Sequence, residues 1–381
     1  MKIITIFLLL TLCWGHKDLI ADPKSGKQAE YFFVGTYTDS GSEGIYNFSL
    51  DPVTGKLTNH GVVAKSDNPS FLALTPNGKF LLAVRETKDE KGSGMGYVES
   101  FAVGKDFLMK LTPLSKVSSG GAHPCYVSVN QSETVLAANY NGGNVALFRL
   151  DVSGKLSEPL DVQQHFGKGP NADRQSGPHA HSAFFEPGSN RIFVPDLGID
   201  KVAVYQIGNN GSKLIKAPFP SINLAPGSGP RHLAFHQAIK VVYIANELAS
   251  TVAVVALNKD GSFTTVETVS TLPKGFDQMN TSADIHISKD GRFLYVSNRG
   301  CNSIAIFSVD PKNGKLVQIA QESTRGETPR NFTLSPDENY LLVGNQTTEN
   351  IVAYRRNQQT GLLKFTDQIK AFRPVCLLFR K

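Results

Sequence analysis

Apolar positions along the chain fall in short runs and alternations, not in helical stripes. From Gly229 the chain reads GPRHLAFHQAIKVVYIANELASTVAVVAL. A Gly-Pro turn leads into an alternating segment through His232, Ala234 and His236. A β-branched and aromatic run, Val241 to Ile244, stops at Asn246-Glu247. After Ala249-Ser250 a second apolar run, Val252 to Leu257, is closed by Asp260-Gly261. Period-two alternation and short apolar runs bounded by turn formers predict strands, here a meander of three. The template recurs from Asn68, from His123, and over 177–207, 282–316 and 328–363. Its anchors, Pro69, Pro124, Pro178, Pro230, Ser282, Pro329 and Pro374, are 55, 54, 52, 52, 47 and 45 residues apart. A repeat of roughly 40 to 55 residues with about four strands per unit predicts a propeller blade.

The two ends of the chain complete one unit between them. After Pro374 only one strand remains, RPVCLLFRK, whereas YFFVGTYTDSGSEGIYNFSLDPVTGKL (31–57) carries later strands and lacks a first one. Joined, they give seven four-stranded blades, an all-β ring that leaves no open edge between first and last blades. No linker interrupts the repeats, so 31–381 is expected to be a single domain although 381 residues could house more.

Composition changes this picture little. The 34 glycines and 20 prolines suit a turn-rich β ring. The net charge of +6 is dispersed, without basic runs or an RNA-binding signature, and points to an anionic small molecule before a nucleic acid. At the N-terminus, Lys2 precedes an apolar run from Ile3 to Trp14 that is short for a membrane span. Residues 1–21 are therefore expected to be a signal peptide and the protein to be exported, with Leu12-Cys13 a poor match to a lipid-anchor site. Beyond the leader, Cys125, Cys301 and Cys376 are odd in number. Cys125 and Cys376 fall in non-adjacent blades, so buried thiols are expected in place of disulfides.

In a blade the second strand runs antiparallel to the first, so the start of one and the end of the other share a face of the ring. The strand-start slot holds His181, Arg231, His232, Asp284 and Arg330; the strand-end slot holds Glu86, Tyr140, Asp196, Glu247, Arg299 and Gln346. Histidines such as His123, His165 and His236 are expected to serve neighbouring backbone. Asn139, Asn246, Asn298 and Asn345 recur, which fits a structural role. Residues that differ from blade to blade suit one ligand with distinct ends, or else a ring of ion pairs tying the blades together.

The GPRH…NE unit, the PHAHS segment, the ADIHIS-DGR-LY-SNR unit and the TPRNF-LSPD unit together resemble the seven-bladed propeller lactonases, a family that includes 6-phosphogluconolactonases and carboxymuconate cyclases. The resemblance spans Tyr31 to Phe379. It implies a catalytic set of a histidine, an arginine, a glutamate and a second arginine, which fall on His181, Arg231, Glu247 and Arg299, with His179 as an alternative to His181 and Arg330 to Arg299. His179, His232, Asp284, His286 and Arg330 are the expected substrate-binding residues. Hydrolysis of a sugar lactone needs a base, here Glu247 or His181, and donors for the oxyanion, and no cofactor. Cytosolic relatives take a phosphorylated lactone; the export signal leaves a non-phosphorylated aldonolactone open. A lactonising cyclase and a non-catalytic carbohydrate- or protein-binding propeller are the other readings. A monomer is expected.

Overall fold

A computed structural model describes residues 28–87, 95–105 and 109–380; the expected leader and Cys13 lie outside them. The described residues form seven four-stranded antiparallel sheets and two short 3-10 turns. In six of the blades the strands follow chain order from the axis outwards. The fifth blade, for example, runs Pro230–Phe235, Val241–Asn246, Thr251–Leu257, Phe263–Ser270. Ring closure is as expected: Pro374–Phe379 pairs with Glu30–Thr36, Phe32 opposite Phe379 and Val34 opposite Leu377.

Second and third strands of each blade are buried on both faces and so carry the near-continuous apolar runs seen in the sequence. Their side chains form seven apolar clusters, each shared by two adjacent blades. Tyr243, Val254, Leu294 and Phe307 join the fifth blade to the sixth. Phe32, Phe48, Phe379, Tyr340 and Ile351 join the first to the last. The hydrophobic effect therefore holds blade to blade, and the axis is left free for polar side chains.

Three of the four recurring asparagines are pins between blades, while Asn246 bonds Thr251 within its own blade. Asn139, Asn298 and Asn345 each donate Nδ2 to the carbonyl of the residue linking the preceding blade: Ser119 at 2.9 Å, Thr271 at 2.8 Å and Thr324 at 2.8 Å. Gly326 gives the last of these room, since a Cβ there would lie 2.5 Å from Asn345 Nδ2. Of the histidines expected to serve neighbouring backbone, only His236 does so, accepting from the amides of Ala238 and Ile239; His123 bonds the Asn141 side chain and His165 the Asp196 carboxylate. Cys125, Cys301 and Cys376 are free thiols.

Two expectations need correcting. The inner strand of the fourth blade is only Phe184–Phe185, preceded by an extended stretch that meets its neighbour at the isolated bridge between Ala180 and Asp196. Ala180 occupies the place of Pro230, so the anchor at Pro178 lies two residues early. Asp196 ends the strand Arg191–Asp196 as Asn246 ends Val241–Asn246, and so belongs with the asparagines. It accepts from the amides of His179 and Gly198 and from His165.

Candidate active site

The residue just beyond the asparagine position of each second strand faces the axial mouth. Around the ring this slot holds Tyr37, Glu86, Tyr140, Leu197, Glu247, Arg299 and Gln346. Inner strands contribute through a bulge. Pairing of inner and second strands shifts register between Pro124 and Tyr126, Pro230 and His232, Ser282 and Ile285, and Pro329 and Asn331. A bulged residue is released from strict alternation and re-aimed. Cys125, Arg231 and Arg330 are such residues, and His181 takes the same place in the irregular fourth blade. Five residues of the first slot and three of the second, with Arg174 and Thr281, line one cavity of about 360 Å³ at this mouth: Tyr37, Glu86, Tyr140, Glu247, Arg299, Cys125, His181 and Arg330. Arg231 is buried directly behind Glu247.

Glu247 is the hub. Oε2 lies 2.9 Å from Arg231 Nε and 2.9 Å from Arg299 Nη2, and Oε1 accepts from Arg174 Nη2 at 2.7 Å. Burial alone would raise its pKa, but Arg299, Arg231 and Arg174 outweigh it and hold the carboxyl at about 2. Arg231 is lowered to about 10 by burial and by Arg299 and Arg330, and keeps its charge at neutral pH. His181 is packed between Tyr140 and Cys125, its Nε2 3.9 Å from Glu247 Oε2 and its Nδ1 3.7 Å from the Cys125 sulfur. Burial, then Arg231, His232 and Arg330, press its pKa well below the ordinary histidine value, so the imidazole is neutral. Across the cavity Glu86 accepts from the hydroxyls of Tyr37 and Ser70. Arg330 stacks over the Tyr37 ring, 5.4 Å from its centroid, and makes neither a hydrogen bond nor an ion pair among the described residues. Three arginines, Arg174, Arg299 and Arg330, thus share the cavity walls with two carboxylates, and a fourth, Arg231, lies behind Glu247, leaving an excess of positive charge.

The expected catalytic set, His181, Arg231, Glu247 and Arg299, does converge. Arg330 joins it, whereas Arg299 is tied to Glu247 and to the carbonyl of Ser282. His179 stays at the same mouth but stacks on Tyr140 at 4.4 Å and donates Nδ1 to the Tyr140 carbonyl, turned away from Glu247.

His232, Asp284 and His286, expected to bind substrate, line a different cavity from Glu247. His232 follows the bulged Arg231, and Asp284 lies within the irregularity between Ser282 and Ile285; both line the next layer down the channel. Asp284 is bonded to His232 Nδ1 at 2.8 Å, to His286 Nε2 at 3.1 Å and to Asn331. With Phe71, Tyr126 and Phe184 they line a separate cavity of about 440 Å³. Burial and Arg231 lower His232 to about 4. Arg174 and Tyr37 were not singled out from the sequence. Arg174 lies in the irregular connection between Asp161–Gln164 and Phe184–Phe185, outside the repeat. Tyr37 could have been found by extending the strand-end slot into the N-terminal half blade.

Larger hollows exist, one of about 770 Å³ between blades and one of about 630 Å³ at the outer edge of the seventh blade, and neither brings an arginine, a carboxylate and a histidine together.

Comparison with known proteins places the chain in a family of this fold. Residues 31–379 match the family described as lactonase, 7-bladed beta-propeller. The chain is 38% identical over 350 residues to a 6-phosphogluconolactonase of Bacillus subtilis, covering 91% of this chain and 97% of that one. It is 36% identical over 339 residues to a 6-phosphogluconolactonase of Formosa agariphila, covering 87% and 94%. Among solved structures, the periplasmic gluconolactonase PpgL of Pseudomonas aeruginosa superposes with a TM-score of 0.87 at 31% identity, covering 93% of this chain and 99% of that one.

Proposed function

The chain belongs to the seven-bladed β-propeller lactonases, and from that premise we propose that it hydrolyses a sugar lactone bearing an anionic group, a 6-phosphogluconolactone or a close analogue, in the cavity around Glu247. The observation that carries the reading is the unpaired guanidinium of Arg330 beside the neutral imidazole of His181. Glu86 and Glu247 favour the charged form of Arg330, and a guanidinium that lines the cavity with no hydrogen-bond partner of its own among the described residues is suited to charge that arrives with the substrate or develops in the reaction.

Each group then has a role. His181 is the better placed base: it lines the cavity with Nε2 free of a hydrogen bond among the described residues, whereas both oxygens of Glu247 are engaged by arginines. His181 takes a proton from water, and the hydroxide adds to the lactone carbonyl. Arg330 meets the oxyanion. Collapse breaks the ring C–O bond, and the imidazolium returns its proton to the departing alkoxide, giving a hydroxy acid whose carboxyl group then loses its proton to water. Glu247, 3.9 Å from His181, stabilises the transient imidazolium and holds Arg231 and Arg299 in place. An export route is part of the same proposal, supported by Lys2 and the apolar run that follows it.

A neutral aldonolactone is the second reading, favoured by that leader and by the likeness to a protein described as a periplasmic gluconolactonase. Assaying phosphorylated and neutral lactones by proton release decides between them. His181→Asn should lower kcat by about 10²- to 10⁴-fold and Arg330→Gln by about 10²- to 10³-fold, with thermal transitions near that of the wild type. A wild type that opens no aldonolactone defeats the reading.

A further inference from the structure

Of the arginines at the mouth, Arg231 and Arg330 come from inner-strand bulges and Arg299 from the end of a second strand. Arg174 alone comes from a connection between blades. Its side chain is 39% exposed, against 2% for Arg231 and 14% for Arg299. Its Nη2 is shared between Glu247 Oε1 at 2.7 Å and the Tyr140 hydroxyl at 3.1 Å.

The backbone under it is fixed. Gln175, next in sequence and fully buried, donates Nε2 to the Leu197 carbonyl and to Asp200 Oδ1, both at 2.8 Å, and its Oε1 accepts from the Asn171 amide. Gly169 lies against the same side chain, where a Cβ would come 2.5 Å from its Oε1. The connection is pinned one residue from Arg174, so the guanidinium can turn without loss of the main-chain position. Its departure from Glu247 also costs least, because Oε2 keeps Arg231 and Arg299.

We propose that Arg174 is the specificity residue for the anionic end of the substrate: it exchanges Glu247 Oε1 for the phosphate of a phosphorylated sugar lactone. This rests on the lactonase reading and adds to it the residue that selects among lactones. A planar fork with several donors matches a phosphate, and an arm pre-positioned on a fixed backbone loses little freedom on binding. Once Arg174 has moved, the freed Oε1 lies among fewer cations, which strengthens the pull of Glu247 on the His181 imidazolium.

The test compares wild type, Arg174→Gln and Arg174→Lys on 6-phosphogluconolactone and on gluconolactone, and titrates each protein calorimetrically with inorganic phosphate. Arg174→Gln should weaken phosphate binding by about 10- to 100-fold. The preference for the phosphorylated lactone in kcat/KM should fall by a similar factor, through KM more than kcat. Arg174→Lys, which keeps the charge and loses the fork, should lie between. An unchanged preference and unchanged phosphate binding in Arg174→Gln would overturn the proposal and leave Arg174 a counterion of Glu247. So would a wild type that prefers the neutral lactone, or one that binds no phosphate. A wild type that binds phosphate through Arg174 and opens neither lactone upholds the contact and defeats the hydrolase reading instead.

Discussion

Glu247 carries one negative charge for three arginines, so its protonation state is coupled to the stability of the whole mouth. Its folded pKa, about 2, lies below the ordinary 4.5, so the stabilisation is complete above about 4.5 and is lost as the pH falls toward 2. A depression of this size corresponds to on the order of 3 kcal/mol. Glu247→Gln keeps the shape and removes the charge. It should lower stability at neutral pH by about 3 to 5 kcal/mol, since buried arginines then lack their partner, and its acid unfolding should be shallower than that of the wild type between pH 4.5 and 2. Denaturant titrations at several pH values check both; identical pH profiles for the two proteins would exclude Glu247 as the charge that matters. In the sequence Glu247 stood out because it broke the repeat. That it is the hub was not legible, since Arg174, a third of its coordination, lies in a connection that no period predicts.

Blades were legible because strands buried on both faces must be written as apolar runs, and the runs recur at the length of a blade. What was misread lay where the backbone departs from alternation. Arg231 and His232 are adjacent, and a regular strand would send them to opposite sides; the bulge sends both to the channel at different depths. The strand-start slot was therefore two layers read as one, with His232 and Asp284 in the second. The fourth blade hid its register for a similar reason, since its inner strand is two residues long. The asparagine pins make a prediction at this scale. Asn345→Ala strands the Thr324 carbonyl and should cost about 1 to 3 kcal/mol. Because Gln346, next to it, does not line the cavity, KM should stay that of the wild type. A shift in KM without a loss of melting temperature would contradict the structural role.

At the scale of the molecule, the ring is closed by strand pairing between its two ends, Phe33 opposite Leu378 and Gly35 opposite Cys376. Deleting 373–381 removes the inner strand of the first blade and part of the clusters that seal it to both neighbours, which hold Phe379 on one side and Cys376 on the other. The truncated chain should lose its cooperative thermal transition or aggregate, as followed by circular dichroism and light scattering. Retention of the full transition would refute closure as the source of stability. The two half blades were visible in the sequence because each lacked what the other supplied. The same arrangement governs the birth of the protein. The first residues of the ring to leave the ribosome must wait for Pro374–Phe379 before their blade exists, so closure rests on a contact between segments more than 300 residues apart, the kind of non-local pairing whose loop entropy must be met before the contact rewards it.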